Sequence, residues 1–325
     1  MVLAAVEEAM DEAGIGYADL DAVVTASVDL LDGLAASNVH VTEVVGAVMK
    51  PETRIAADGL AAFVHAACQL LAESYHRVLV VAHGKASMAP YWSVTSWAMD
   101  PVFLQPMGVD FLVCSALQAR QLLDLDPRAL ERWANTVSLR TRSAPRGLRS
   151  AVTPQDVLQS PVVASPIRAH MIAPLGDGAV AVVLEAHAQE RDADGIWVKG
   201  MGWDHDNHGP GSRELVSWRG LSRAWKRVCR TAGIEECHLD LAEPACWFAH
   251  EEDLFLSAVP VEPSTTISPG GGLFAGAAPV AAGLANLRSA EKWLRGRREP
   301  GRALVHGSWG PAGQAHVLVL LEKVS

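Results

Sequence analysis

Residues 77–82 read Arg77-Val-Leu-Val-Val-Ala82 and residues 178–185 read Gly178-Ala-Val-Ala-Val-Val-Leu-Glu185. Both are apolar runs without polar alternation, the pattern of strands covered on both faces. Ahead of the first, Leu60, Phe63, Val64, Ala67 and Leu71 recur at helical spacing. Further upstream, Leu3, Val6 and Met10 mark a helix that stops at Gly14 and Gly16, and Asp21-Ala-Val-Val-Thr-Ala-Ser27 is a short β-branched strand. The order predicts a mixed α/β chain. Residues 86–170 break the rhythm with prolines, two amphipathic helices over about 111–124 and 127–142, and a turn-rich stretch at 153–166. They form an inserted, largely helical loop domain.

The pattern then repeats. Ile196-Trp-Val-Lys-Gly is a strand, Leu221, Trp225, Val228 and Cys229 share a helix face, and Asp240-Leu-Ala-Glu-Pro ends another strand. Val280, Leu284, Leu287 and Leu294 mark a helix, and Arg302-Ala-Leu-Val-His and Val317-Leu-Val-Leu-Leu-Glu322 close the chain. Asp21-Ala-Val-Val answers Asp240-Leu-Ala, Thr53-Arg-Ile answers Thr266-Ile-Ser, Arg77-Val-Leu-Val-Val answers Arg302-Ala-Leu-Val-His, and Ala181-Val-Val-Leu-Glu answers Val319-Leu-Leu-Glu. An ordered internal duplication predicts two similar halves, residues 1–190 and 191–325, packed as one body.

Composition narrows the class. Half of the 325 residues are apolar, which suits a large buried core. The 27 basic and 37 acidic side chains leave a formal charge of −10, without a chain-wide footprint for nucleic acid. No apolar run is long enough to span a bilayer. The five cysteines (Cys68, Cys114, Cys229, Cys237 and Cys246) contain no CxxC and read as reduced, mostly buried thiols of a cytoplasmic protein.

Four stretches carry a family resemblance. Arg77-Val-Leu-Val-Val-Ala-His-Gly-Lys-Ala-Ser87 resembles the strand and turn "VLVVGVEKMS" of the thiolase superfamily, nearest to proteins related to sterol-carrier-protein thiolases. Thr153-Pro-Gln-Asp-Val-Leu-Gln-Ser-Pro-Val-Val-Ala-Ser-Pro-Ile167 resembles "ITxEDVLxSPxIAxPL", Leu175-Gly-Asp-Gly-Ala-Val-Ala-Val-Val183 resembles "SDGAAAVV", and Thr266-Ile-Ser-Pro-Gly-Gly-Gly-Leu-Phe-Ala275 resembles "VNPSGGGLA". The resemblance implies a five-layer αβαβα fold of two fused halves, usually dimeric, with the active site between them. Family members open with a strand that lies inside the first sheet. Here residue 1 already falls in a helix, so either the natural start lies upstream of Met1 or the sheet is built without that strand.

The chemistry implied by the family needs a thiolate at a helix N-terminus, an activating histidine, and a second cysteine beside an oxyanion hole. Position by position, the resemblance puts Ala57 at the nucleophile, Ala278 at the activating histidine, Ala245 at the oxyanion-hole residue and Ser308 at the second cysteine. Alanine has no proton to give or take, and a lone serine is a weak base, so thiolysis and Claisen condensation by the usual route are not expected. Cys246 beside Ala245 reads as a structural thiol.

Asp58, Glu243, His250 and His306, with Ser308, are the remaining acid–base candidates. Gly270, Gly271 and Gly272 form a tight turn or a place for close ligand approach. The run Asp204-His205-Asp206-Asn207-His208 reads as a solvated loop rather than a metal site, and the acidic residues after His250 as helix-terminus charges. Trp203, Trp218, Trp225, Trp247 and Trp309 suggest a partner surface, while Tyr17, Tyr75 and Tyr91 fall outside the catalytic boxes.

The expectation is a catalytically degenerate subunit that pairs with an active thiolase-like or ketosynthase-like chain, with a small OB-fold partner also envisaged. Acyl-CoA is the substrate or ligand, no cofactor is bound, and the oligomer is a dimer or larger. The alternative is an acyl-CoA aldolase or other C–C lyase of altered chemistry. It requires the acid–base candidates to share one pocket.

Overall fold

The computed structural model describes residues 1–187, 195–234 and 238–324. The expected boundary between residues 190 and 191 and the thiol of Cys237 lie outside the described residues. The first sheet region contains α1 (Val2–Ala13), β1 (Ala22–Ala26), α2 (Asp29–Asp32), β2 (Glu52–Ile55), α3 (Gly59–Leu71) and β3 (Arg77–Lys85). There follow α4 (Tyr91–Thr95), α5 (Phe111–Leu125), α6 (Ala129–Arg142), α7 (Pro154–Gln159), β4 (Val162–Ala164), β5 (Ile167–Arg168) and β6 (Asp177–Glu185). The remainder is β7 (Ile196–His205), α8 (Arg219–Ala232), β8 (Leu241–Glu243), α9 (Glu251–Ala258), β9 (Thr266–Ile267), α10 (Ala282–Arg295), β10 (Gly301–Trp309) and β11 (Ala315–Lys323).

Two sheets carry the frame. One has the order β2-β1-β3-β6 and the other β7-β11-β10-β8-β9. Their strands are apolar on both sides because both faces are covered. Val24, Ala26, Val78, Val80 and Ala82 of the first sheet and Leu241, Ala303, Val305, Val317 and Val319 of the second meet Leu60, Phe63, Val64 and Ala67 of α3 and Leu284, Leu287 and Leu294 of α10 in one central core. The alternate residues face outward. Val23, Leu79 and Val81 pack under Val6 and Met10 of α1. Leu304, Leu318 and Leu320 pack under Leu221, Trp225 and Val228 of α8 and Leu254 and Phe255 of α9. The layers therefore run helix, sheet, helix, sheet, helix, the five-layer αβαβα arrangement expected from the sequence.

The duplication extends to side-chain contacts. Asp21 accepts the main-chain N–H groups of His76 and Arg77 at 2.8 Å, and Arg77 in turn pairs with Glu185. In the second sheet Asp240 accepts the N–H of Arg302 at 2.9 Å, and Arg302 pairs with Glu322. Each triad pins three neighbouring strands at the same end. Gly84 marks a place where the two halves meet backbone to backbone, since a Cβ there would lie 2.1 Å from the Pro279 carbonyl oxygen.

Helices α5, α6 and α7 surround a separate cluster containing Trp133, Val137 and Val157, and this cluster reaches Phe248 and Phe274. Main-chain bonds from Ala173 to Trp247 and from Ala249 to Met171 stitch this region to the loop before α9. Those bonds fix where Trp247 points.

The structure corrects several local readings. Strand β7 runs to His205, so Asp204 is buried rather than solvated, paired with Arg223 and Arg227. Trp218 and Trp225 are core residues, and of the five tryptophans expected at a partner surface only Trp203 is exposed. The cysteines also divide: Cys114 and Cys246 are buried, whereas Cys68 is exposed. The glycine run is a turn. Gly271 and Gly272 have φ of 92° and 56°, and a Cβ on Gly271 would lie 2.7 Å from both Ala144 and the Arg140 carbonyl. Close approach at Gly271 is to Ala144 and α6.

Candidate active site

Helices α3 and α10 start at one cleft, and a single carboxyl serves both starts. Asp58 precedes α3. Its Oδ1 accepts the Leu60 N–H at 2.9 Å and its Oδ2 accepts the Gly283 N–H of α10 at 3.0 Å. Helix α10 has no cap of its own, because Ala281 stands at that position. Asp58 is 4% exposed, and burial pushes its pKa up to about 7 against the pull of the two N–H donors.

Above Asp58 lies a cavity of about 450 Å³. Ala56, Ala57 and Asp58 form its floor, and Ser308 and residues 309–314 form one side. The inserted region supplies a wall containing Tyr91, Trp92, Trp97 and Phe111, and the loop before α9 supplies Trp247 and Phe248. Tyr91 packs edge-on against Trp92, with ring centroids 4.9 Å apart, and lies near-parallel to Trp247 at 6.3 Å.

Glu251, the first residue of α9, also lines this cavity. Its Oε2 accepts the N–H groups of Trp247 at 2.7 Å and Phe248 at 3.2 Å. The side chain is 3% exposed, and burial raises its pKa to about 8. Burial and the nearby Asp58 and Glu251 carboxyls hold the Tyr91 phenol above its ordinary value. The acidic run after His250 does open α9, as expected, but each of its carboxyls is engaged. Glu251 enters the cavity, Glu252 pairs with the buried Arg140, and Asp253 binds Arg132 and Trp133.

The sequence candidates separate in space. Ala57, Asp58 and Ser308 share the cavity. Ala245 is fully buried outside its lining. Its carbonyl accepts from Ser308 Oγ and its N–H donates to His306 Nδ1. His306 is a core residue within β10 whose Nε2 carries the proton and donates to His316 Nδ1 at 3.1 Å. Burial lowers its pKa well below the imidazole range. His250 contacts Gln118 and the Trp133 ring, and burial pulls it down to about 3. Neither histidine lines the cavity.

Glu243, Ala278, Gly270 and Gly272 line a different cavity of about 370 Å³ between β6 and α10. Glu243 accepts from Ser289 at 2.8 Å, and burial raises its carboxyl above the ordinary value. The expected single pocket of acid–base candidates is therefore reduced to Asp58 and Ser308. No cysteine lines the main cavity among the described residues, and the imidazole that does, His208, is exposed at its mouth against Gln314.

Tyr91 and Glu251 were missed for different reasons. Tyr91 lies outside the catalytic boxes of the resemblance. Its signal was the aromatic pair Tyr91-Trp92 behind Pro90 in a stretch poor in charge. Glu251 was hidden in an acidic run that suits any helix start.

No protein-family model matches the chain. It is 28% identical over 191 residues to an acetyl-CoA acetyltransferase of Methanothermobacter thermautotrophicus, a match covering 54% of this chain and 49% of that protein. The match thus spans about half the length of that curated relative. Among solved structures, an Ltp2–ChsH2(DUF35) aldolase superposes with a TM-score of 0.77 at 15% identity over 99% of this chain and 93% of that one. Human mitochondrial 3-ketoacyl-CoA thiolase in complex with CoA gives 0.76 at 14% identity over 99% and 91%. In its fold, the chain is a thiolase-like protein.

Proposed function

We propose that this chain is a thiolase-fold subunit that has given up thiolysis, keeps the acyl cavity, and works paired with an active thiolase-like or ketosynthase-like chain. The observation that carries the reading is the cavity itself, walled and roomy, with Ala57 on its floor and no sulfur in its lining among the described residues. A nucleophile for acyl transfer must sit where it can reach the acyl carbon. Cys246 is buried elsewhere, and burial raises its thiol well above the usual range. The division into halves at residues 190 and 191, the placement of Ala57, Ala245, Ala278 and Ser308 at the family's catalytic positions, a cytoplasmic setting and an OB-fold partner belong to the same proposal. The Ltp2–ChsH2(DUF35) aldolase is named for two components, which is consistent with a partner for this chain. Among the described residues no helix is long and apolar enough to cross a membrane.

The test is co-expression with any thiolase-like or ketosynthase-like chain encoded beside it, followed by native mass measurement and an acetoacetyl-CoA thiolysis assay on each component. A hetero-oligomer whose thiolysis belongs to the other chain supports the reading. Thiolysis by the isolated chain, or a stable monomer indifferent to its neighbours, overturns it.

One observation favours a second reading. Asp58, Glu251 and Tyr91 converge on the cavity, and burial places both carboxyls near the pH where an acid can give and retake a proton. A C–C lyase acting on a 3-hydroxyacyl-CoA would use such groups. Turnover of that substrate by the isolated chain, lost in Glu251→Gln, would favour this reading over the first.

A further inference from the structure

The main cavity offers acids and a phenol but no fixed cation. Among the described residues its lining contains neither lysine nor arginine. Asp58 comes from the turn before α3, Tyr91 from the start of α4 and Glu251 from the start of α9. The charged neighbours on α9 are already engaged: Glu252 with Arg140 of α6, and Asp253 with Arg132. His208, from the loop after β7, meets Gln314 at the mouth.

Glu251 decides the polarity of the site. Because its Oε2 accepts two main-chain N–H groups, the proton of the neutral carboxyl belongs on Oε1. Oε1 has no hydrogen-bond partner among the described residues, on a side chain that is 3% exposed and lines the cavity. The Tyr91 hydroxyl likewise makes no hydrogen bond to the described protein, and its ring is fixed between Trp92 and Trp247. Two O–H donors thus open onto an apolar, aromatic chamber, where a ligand's acceptor can take the place of water. An anion would find two carboxyls and no countercharge.

We propose that this cavity binds an apolar group through an uncharged carbonyl oxygen, that of a ketone, ester or thioester, held by Glu251 and Tyr91, and that it rejects the matching carboxylate. The inference rests on the reading of the cavity as an acyl site and holds whether or not the chain turns its ligand over. The volume of about 450 Å³ suits a small acyl or ring-bearing group.

The probes are 2-nonanone and octanoate, which match in shape and differ by a methyl group in place of the charged oxygen. Calorimetric titration into the whole protein at pH 7 should show the ketone binding at least about tenfold tighter than octanoate. Raising the pH to 9 should weaken the ketone several-fold as Glu251 loses its proton. Glu251→Gln keeps a donor at every pH, so its ketone affinity should fall clearly less between pH 7 and pH 9 than that of the unaltered chain. Tyr91→Phe should lose about fivefold for the ketone while melting at the same temperature. Octanoate binding as tightly as 2-nonanone, binding of neither probe, or an unchanged pH dependence in Glu251→Gln would overturn the proposal. These outcomes are separate from the pairing and thiolysis assays, which can fail or succeed without moving the ratio of the two probes.

Discussion

The two halves of the chain share a frame and differ at the cleft. Asp21, Arg77 and Glu185 in one sheet do the same work as Asp240, Arg302 and Glu322 in the other, holding strand ends in register through one carboxylate and one ion pair. At the cleft the symmetry fails. Helix α3 has a capping side chain in Asp58, whereas α10 has Ala281 and borrows the same Asp58 carboxyl. The outer edges differ too, since β11 pairs with β7 while β6 pairs with β3 alone among the described strands. Duplicated contacts preserve the scaffold, and the unduplicated ones give the cavity its chemistry.

The largest break in the comparison should come from the contact between the halves. In Gly84→Ala the new methyl would meet the Pro279 carbonyl at 2.1 Å, backbone against backbone with no side chain able to yield. We expect a loss of roughly 5 kcal/mol or more, enough to leave little folded protein, as read by circular dichroism. A variant that folds and melts normally would mean that the halves sit farther apart than described.

The next effect concerns the asymmetric acids. The folded chain raises the Glu251 pKa from 4.5 to about 8, so it keeps a proton that the unfolded chain releases. Stability should therefore fall as pH rises from about 4.5 to about 8 and then level off. Glu251→Gln removes this linkage while its amide oxygen still accepts the two N–H groups. It should be more stable than the parent at pH 9 by an amount on the order of 5 kcal/mol at most, measured by urea denaturation across pH. Equal pH slopes in both proteins would mean that Glu251 is ionised in the folded state.

Much of this frame was legible in the sequence because burial on both faces leaves an unbroken apolar run, as at 77–82, and because duplication repeats anchors such as Asp21 and Asp240. The inserted helices were legible from their period. The site was only half legible. Asp58 and Ser308 could be placed through the resemblance, since both follow from a position along the chain. Glu251 could not, because its entry to the cavity depends on main-chain bonds from Trp247 and Phe248 that turn the carboxyl back past its own helix. Glu243, His250 and His306 looked as reactive as Asp58, yet the pleat and the helix faces send them elsewhere.

Asp58→Ala would sharpen the asymmetry. It frees the Leu60 and Gly283 N–H groups at two buried helix starts but also removes a buried acid. The loss should be greatest, roughly 2 kcal/mol, below about pH 4, where the folded and unfolded chains both keep the Asp58 proton. It should shrink as pH rises from about 4 to about 7, because the folded parent keeps a proton that the unfolded chain releases, and level off above that. A loss that grows with pH would mean that the two helix starts stabilise the Asp58 anion more than burial opposes it.

The smallest effect tests the symmetry itself. Asp21→Ala and Asp240→Ala each remove the carboxylate that receives a strand's first N–H, and each leaves the corresponding arginine–glutamate pair intact. If the halves are true structural copies, each should cost roughly 1 kcal/mol by chemical denaturation at pH 7, with Asp240 slightly the larger because it also pairs with Arg297. Asp21 sits below the usual carboxylate range through the N–H groups of Arg77 and His76. Its share should therefore be present above pH 4 and fade as pH falls below that, small in size because the group is exposed. Because the sites lie in different sheets and share no partner, the double variant should lose the sum. A marked excess over that sum would mean that the two triads communicate through the central helices, and the halves would then be one cooperative unit rather than a repeated one.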